Sequence, residues 1–171
     1  RFGCLDSDGD GWSDADPGGL DGVEPWFAHP NGSADAFPFT PSQWNDTDED
    51  GFGDNWADGS WNETRMNWSI GVWYANASQP DACPFITGYS LEDRFGCPDA
   101  DNDGWSDPDS NWTSANGADA FPENPTQWSD RDNDGWGDNQ SEGALQVDDF
   151  PDNPTQWLDT DGDGWGDNSS Y

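Results

Sequence analysis

The sequence predicts an irregular repeat rod with little regular secondary structure, and three observations predict it. Hydrophobic residues fill only 30% of the 171 positions, against roughly 45–50% in globular domains, so a conventional core lacks material. Neither helical period nor strand alternation persists, and 21 Gly and 13 Pro punctuate the chain throughout. A nine-residue pattern, Asp-x-Asp-x-Asp-Gly-aromatic-x-Asp, returns five times, beginning at Asp6, Asp46, Asp99, Asp130 and Asp159. Such self-similarity marks stacked units that touch only their neighbours.

Charge narrows the partners. With 37 acidic residues against 4 basic ones the formal net charge is −33, which excludes nucleic acid and anionic membrane surfaces and points to cations. Charge and hydropathy alone would read as disorder. Thirteen Trp and nine Phe, however, exceed what a solvated acidic tail carries, and the acids recur in register. No apolar run is long enough to span a bilayer, so membrane insertion is not expected. Nor does a charged-then-apolar signal segment open the chain, and a start at Arg1 suggests a processed product or a piece of something longer.

The loops carry the chemistry. Carboxylates at alternate positions repel one another unless a hard divalent cation sits among them. At positions 1, 3 and 5 these are Asp6, Asp8 and Asp10; Asp46, Asp48 and Asp50; Asp99, Asp101 and Asp103; Asp130, Asp132 and Asp134; and Asp159, Asp161 and Asp163. Gly at position 6 supplies the sharp turn, and position 7 offers its backbone carbonyl. Position 7 is Trp12, Phe52, Trp105, Trp136 or Trp165, whose rings are left free to pack on a neighbouring module. At position 9, Asp14, Asp54, Asp107, Asp138 and Asp167 bind directly or through water.

All-oxygen ligation favours calcium over magnesium, which demands a stricter octahedron, and over zinc, which wants Cys or His. The loops take 20 of the 37 acids, and one divalent ion per loop would bring the charge to −23, two per loop to −13. The expectation is therefore at least five calcium ions and up to about ten. His29, the single histidine, reads as a surface residue rather than a ligand. A helix-flanked EF-hand is disfavoured, because position 12 holds Pro17, Ala57, Ser110, Ser141 and Ser170 where that motif wants a bidentate acid. A further ligand must come from elsewhere. Asp16 and Asp109 follow position 9 by two residues, while Asp35, Asp81, Asp119 and Asp148 recur at one register position. Any one of these reads equally well as a solvated acid; the shared register is what singles them out.

The modules follow in order: 1–44; 45–93, with a Trp-rich insertion at 56–80; 94–128; 129–157; and a partial module, 158–171, continuing beyond the chain. Arms running from Asp35 to Trp44, Asp119 to Trp128 and Asp148 to Trp157 share the pattern Asp-x-Phe-Pro-x-x-Pro-x-Gln-Trp. A second lead-in, Arg-Phe-Gly-Cys, begins at Arg1 and Arg94, 93 residues apart. Loops entered from Cys continue as Trp-Ser-Asp, whereas those entered from Trp continue as Gly-Asp-Asn. The insertion carries Trp56, Trp61, Trp68 and Trp73 beside Ile70, Val72, Tyr74 and Ala75, and a short β-hairpin is expected within it.

The string Asp-Ala-Phe-Pro-x-Asn-Pro-Thr-Gln-Trp-x-Asp-x-Asp-x-Asp-Gly-Trp-Gly-Asp resembles a thrombospondin type 3 repeat, over most of the chain except residues 56–80. The resemblance implies a calcium-wrapped chain lacking a hydrophobic core, often with more than one ion per repeat, in extracellular or cell-surface proteins. The chain departs from that family at Phe37, Phe121 and Phe150, where Cys is common, and at loop position 12, where an acid is common.

Cys83 occupies the place of those phenylalanines, and Cys97 lies fourteen residues on, just before a loop. They are expected to pair, closing a loop worth roughly 3 kcal/mol in the chain-entropy model and implying an oxidising compartment. Cys4 matches Cys97 but has no upstream mate; its partner lies outside the chain, in a preceding repeat or a neighbouring chain, or it is a free thiol. Eight sequons, at Asn31, Asn45, Asn62, Asn67, Asn76, Asn111, Asn139 and Asn168, read as glycan acceptors or as a by-product of turn composition. Together these features predict an extracellular or cell-surface structural protein, a segment of a glycosylated rod, stalk or filament, whose partners are calcium, covalent glycans and copies of itself or adjoining repeats. The alternative is an adhesin or a sugar- or protein-binding stalk using exposed Trp of the insertion. No enzyme is expected, since neither a Ser/His/Asp nor a Cys/His set can be assembled around one histidine.

Overall fold

A computed structural model describes residues 3–18, 24–57, 65 and 69–168. Arg1, Trp61, Trp68 and the sequons Asn62 and Asn67 lie outside the described residues. The irregular fold expected from composition is what forms: among the described residues the regular structure is one short 3-10 turn, Ser114–Asn116, and a few isolated β-bridges. Asp and Asn side chains take up the backbone amides that a helix or sheet would otherwise pair, which is why the chain does without either. Among the described residues no helix is long and apolar enough to cross a membrane.

The chain divides into two compact units. The first comprises Arg1–Tyr89 with Arg94–Pro98, and holds the loops at Asp6 and Asp46. Its interior is largely polar: Asp35, Gln43, Asp54, Asn55, Asp81 and Arg94 are buried, and so is a small apolar cluster of Ala82, Cys83 and Cys97. Cys83 and Cys97 form the expected disulfide, with Cα atoms 5.1 Å apart. Cys4 is exposed and free within this chain.

The hairpin expected in the insertion is not present among the described residues. Trp56 and Trp73 instead form a single parallel bridge, with Trp56 N–H donating to Val72 O at 3.1 Å and Tyr74 N–H to Trp56 O at 2.9 Å. Residues 58–64 and 66–68 of the expected hairpin lie outside the described residues, and Arg65 between them is buried. Its guanidinium donates to the backbone carbonyls of Asp54 at 2.8 Å, Ile70 at 3.0 Å and Asp81 at 3.0 Å, and burial lowers its pKa.

The second unit comprises Ser90–Asp93 with Asp99–Tyr171 and holds the loops at Asp99, Asp130 and Asp159. Asp119, Gln127 and Asp148 are buried in it, along with Ser106.

Each arm is a double turn closed into a ring. In residues 35–44, Thr40 N–H donates to Phe37 O at 2.8 Å, Gln43 N–H to Thr40 O at 2.9 Å, and Ala36 N–H closes on Trp44 O at 3.0 Å. The same three bonds recur at 119–128 and 148–157, the closures being Ala120 to Trp128 at 3.0 Å and Asp149 to Trp157 at 3.1 Å. Proline restricts φ at two points of each ring and leaves a short, stiff connector. Onto it the loop aromatics stack: Trp12 on Trp44 at 5.9 Å between centroids, Phe52 on Phe95 at 6.3 Å, Trp105 on Trp128 at 6.1 Å and Trp136 on Trp157 at 5.8 Å. In each of these four cases the ring at loop position 7 meets the lead-in of the next loop. Pairs of this kind contribute about 0.5–1.5 kcal/mol beyond their buried area.

Candidate metal centres

Each loop is wound by its own aspartates. The position-1 carboxylate accepts two backbone N–H groups, from positions 4 and 6: in the loop at Asp130 these are Asn133 at 2.7 Å and Gly135 at 2.9 Å. Position 5 accepts the N–H of position 7, as Trp136 does to Asp134 Oδ1 at 2.9 Å, and position 3 accepts that of position 5, as Asp134 does to Asp132 Oδ1 at 3.2 Å. This winding drives position 4 into the left-handed region, with φ of 81° at Gly9, 65° at Glu49, 64° at Asn102, 63° at Asn133 and 72° at Gly162. Position 4 was not singled out from the sequence, although Gly or Asn there in four of five loops was the available signal.

Winding turns the free oxygens inward. In all five loops the carboxylates of positions 1, 3 and 5 bring ligand oxygens within 4.8 Å of one another, which is a group able to hold a metal ion. Position 1 spends both oxygens on the backbone, as Asp130 does on Asn133 and Gly135, and the oxygens left over belong to positions 3 and 5. Oδ2 of Asp8, Asp10, Asp101, Asp103, Asp132 and Asp134, and both oxygens of Asp48, are buried without a hydrogen-bond partner.

The arms bring a fourth carboxylate. Asp35, Asp81, Asp119 and Asp148 are no more than 1% exposed. Each is held identically. Its N–H donates to the carbonyl of loop position 8, namely Ser13, Gly53, Ser106 or Gly137, at 2.8–2.9 Å. Its Oδ1 accepts the N–H two residues on, from Phe37, Cys83, Phe121 or Phe150, at 2.6–2.7 Å. Its Oδ2 is buried and unpartnered. The carboxylates that act on it electrostatically belong to the preceding loop: Asp10, Asp8 and Asp14 for Asp35; Asp50 and Asp48, opposed by Arg65, for Asp81; Asp103, Asp101 and Asp107 for Asp119; Asp134, Asp132 and Asp138 for Asp148.

An orphaned buried carboxylate oxygen costs free energy that a cation can offset. Burial is the largest influence on all four arm acids, with the loop carboxylates adding to it against the opposing backbone hydrogen bond. It pushes Asp35 and Asp119 up to about 7, Asp81 to about 9 and Asp148 to about 6. Within the loops, burial likewise raises Asp48 to about 7 and Asp103 to about 6. Loop carboxylates gathered within ligand distance of one another, with buried unpartnered oxygens among them and on the arm acid, fit a divalent cation.

Other sequence candidates are placed differently. The position-9 carboxylates lie outside these triads and bind the loop's own second residue. Asp14 accepts Ser7 N–H at 3.0 Å and Ser7 Oγ at 2.6 Å, and Asp54 accepts Thr47 N–H at 3.2 Å and Thr47 Oγ1 at 2.8 Å. Asp138 and Asp167 are engaged in the same way by Arg131 and Thr160, and Asp107 by Ala100. Their role is to close the turn around the site. Asp16 and Asp109 shape local turns, accepting Gly18 N–H at 2.8 Å and Asn111 N–H at 2.7 Å. His29 is half-buried, with Nδ1 3.0 Å from Asp46 O.

The structure also contains a clamp not identified from the sequence. In loops entered from Gln-Trp, the Gln side chain lies over loop position 8 and grips position 10. Gln127 Oε1 accepts Asn139 N–H at 2.9 Å, its Nε2 donates to Asn139 O at 3.0 Å, and Asn139 Nδ2 returns to Thr126 O at 2.9 Å. Gln43 with Asn55 and Gln156 with Asn168 repeat the arrangement. A Cβ at Gly53, Gly137 or Gly166 would stand 2.0–2.1 Å from the Gln side chain, so only glycine fits position 8 there. This accounts for the Gly-Asp-Asn exit of one loop subtype, and it places the sequon amides of Asn139 and Asn168 inside the clamp. The sequon residues Asn76 and Asn111 are exposed; Asn31 is exposed and donates to Glu49 Oε1 at 2.9 Å, and Asn45 is half-buried.

No family model, curated protein or solved structure matches this chain.

Proposed function

We propose that this chain is an extracellular structural calcium-binding repeat protein, a segment of a glycosylated rod, stalk or filament akin to thrombospondin type 3 repeats. The observation that carries the reading is the four arm acids, each buried with one oxygen unpartnered against the loop that precedes it. An oxygen-only donor set of three loop carboxylates and one arm carboxylate suits calcium, whose flexible coordination tolerates the small variations between loops. The ion would join loop to arm, so its binding free energy would serve as folding free energy in a chain whose interior is mostly polar. The disulfide suits an oxidising compartment, and loops and arms that recur along the sequence suit an array to which length can be added.

Chelation tests this. Stripping calcium should remove the near-ultraviolet signal of the stacked tryptophans and expand the hydrodynamic radius, and restoring calcium should reverse both. Unchanged circular dichroism and radius in excess chelator would sink the proposal. A second reading, an adhesive stalk, is favoured by one observation: Trp73 in the insertion is 57% exposed, beside exposed Val72 and Tyr74. If that reading is right, Trp73→Ala abolishes binding to a sugar or protein partner while leaving calcium-dependent folding intact.

A further inference from the structure

The arms have two ends, and both ends touch a site. Arm 119–128 begins with Asp119, whose unpartnered oxygen faces the loop at Asp99, and ends with Gln127, which clamps the loop at Asp130. Gln127 does more than hold Asn139: its Nε2 also donates to Leu145 O at 2.9 Å. Leu145 lies three residues before Asp148, the acid that faces the loop at Asp130. The first unit repeats the geometry. Arm 35–44 begins with Asp35, facing the loop at Asp6, and ends with Gln43, which clamps Asn55 in the loop at Asp46. Gln43 Nε2 donates to Ser78 O at 2.8 Å, and Ser78 lies three residues before Asp81, the acid that faces that same loop.

Each of these glutamines therefore ties together a loop's exit and the segment that delivers the loop's fourth carboxylate. Both amides are fully buried. Between the acid and the glutamine the arm is closed into its ring by the Ala36–Trp44 or Ala120–Trp128 hydrogen bond, and the preceding loop's Trp12 or Trp105 stacks on the ring's last residue. An arm fixed at its acid end cannot move independently at its glutamine end.

Resting on the calcium reading above, we propose that Gln43 and Gln127 are positioning residues that couple neighbouring metal sites. Filling the site at Asp6 preorganises the site at Asp46, and filling the site at Asp99 preorganises the site at Asp130. The first ion orders the arm through its acid, and the clamp at the arm's far end then sets both the exit of the next loop and its fourth carboxylate. The second ion binds to a site whose ordering cost has already been met, which is positive cooperativity within each unit.

The test is a calcium titration of the full chain carrying nitrogen-15 glycine. Glycine at loop position 6 donates its N–H to the position-1 carboxylate in every loop, as Gly104 does to Asp99 Oδ2 at 2.9 Å and Gly135 to Asp130 Oδ2 at 2.9 Å, so its amide resonance reports occupancy site by site. Asp119→Asn should raise the calcium midpoint at Gly104 and also, about fivefold, at Gly135. Gln127→Leu should raise the Gly135 midpoint about tenfold, as for the loss of buried hydrogen bonds, and in that background Asp119→Asn should no longer move Gly135. The parallel set, Asp35→Asn and Gln43→Leu read at Gly51, gives the same answer independently if Gln127→Leu disrupts its own unit. Coupling that survives removal of the glutamine, or an Asp119→Asn effect confined to Gly104, overturns the inference while leaving the calcium reading standing. Absence of any calcium-dependent glycine shift in the unaltered chain overturns both.

Discussion

Acid should stabilise the metal-free protein and erase the stability that calcium adds. In the metal-free fold, burial raises the arm carboxyls from an ordinary 3.8 to about 7 at Asp35 and Asp119 and about 9 at Asp81. A group whose pKa is higher folded than unfolded contributes stability that is fully present below the unfolded value and is lost as pH rises through the folded one. Metal-free chain is thus best ordered near pH 4 and loses stability progressively between about pH 4 and 9. Asp81 alone sets the scale. At pH 7 the unfolded chain has already released this proton and the folded chain has not, which costs about 4 kcal/mol, a large part of the 5–15 kcal/mol typical of a domain. What calcium adds has the opposite pH dependence. The ion holds the carboxylates ionised, and its contribution to stability is present at neutral pH and lost on acidification as protons displace the metal. Near-ultraviolet circular dichroism and hydrodynamic radius from pH 4 to 9, with stripped protein and with saturating calcium, should give curves that lie far apart at pH 8 and converge near pH 4. Stripped protein as well ordered at pH 8 as at pH 5, or a calcium effect no larger at pH 8 than at pH 4, refutes the argument.

Replacing Asp119 by Asn should weaken calcium binding at the loop beginning at Asp99 about 100-fold, the order of cost for removing one partner of a buried charge cluster, whereas Asp109→Asn should leave calorimetric titrations unchanged. Equal effects of the two would return Asp119 to the status of a solvated acid. Gly137→Ala should lower calcium-bound stability by about 1–3 kcal/mol in denaturant melts, through overpacking against Gln127, whereas Gly143→Ala meets no neighbouring atom within 4 Å and pays only its φ of 93°. Site-resolved glycopeptide mass spectrometry should find Asn139 and Asn168 bare and Asn76 and Asn111 occupied. A glycan on Asn139 in folded material would contradict the clamp.

What the sequence made legible was set by how local the physics is. Carboxylates at alternate positions around a Gly turn meet in space whatever the rest of the chain does, so the triads Asp6–Asp8–Asp10 to Asp159–Asp161–Asp163 could be read from nine residues. The fourth carboxylate could be read only as a register. Asp16 and Asp35 looked alike as candidates, and what separates them is a backbone hydrogen bond from Asp35 N–H to Ser13 O that no local pattern encodes. For a related reason the insertion is legible only in part: its apolar residues suggest a strand, whereas the described residues show one Trp56–Trp73 bridge and Arg65 bonded to the carbonyls of Asp54, Ile70 and Asp81, which no local pattern encodes. The clamp did leave a trace, because Gly at position 8 and Asn at position 10 occur only in loops entered from Gln-Trp. That co-occurrence was visible as two loop subtypes without its cause.

The cause alters how a chain this polar can have a defined interior at all. Its largest fully buried side chains are Arg94, Gln43, Gln127, Asn55 and the aspartates, groups that cost free energy on burial unless every donor and acceptor is matched. The glutamines and asparagines are matched by the backbone and do not depend on a cation. The arm aspartates are matched on one oxygen only. The clamp, in the three loops that have one, is therefore satisfied without a cation, and the unpartnered oxygens of the arm aspartates are not. If calcium binds as proposed, it would complete what the amides leave open, which gives a reason for so acidic a chain to keep neutral amides at the points where an arm meets the next loop.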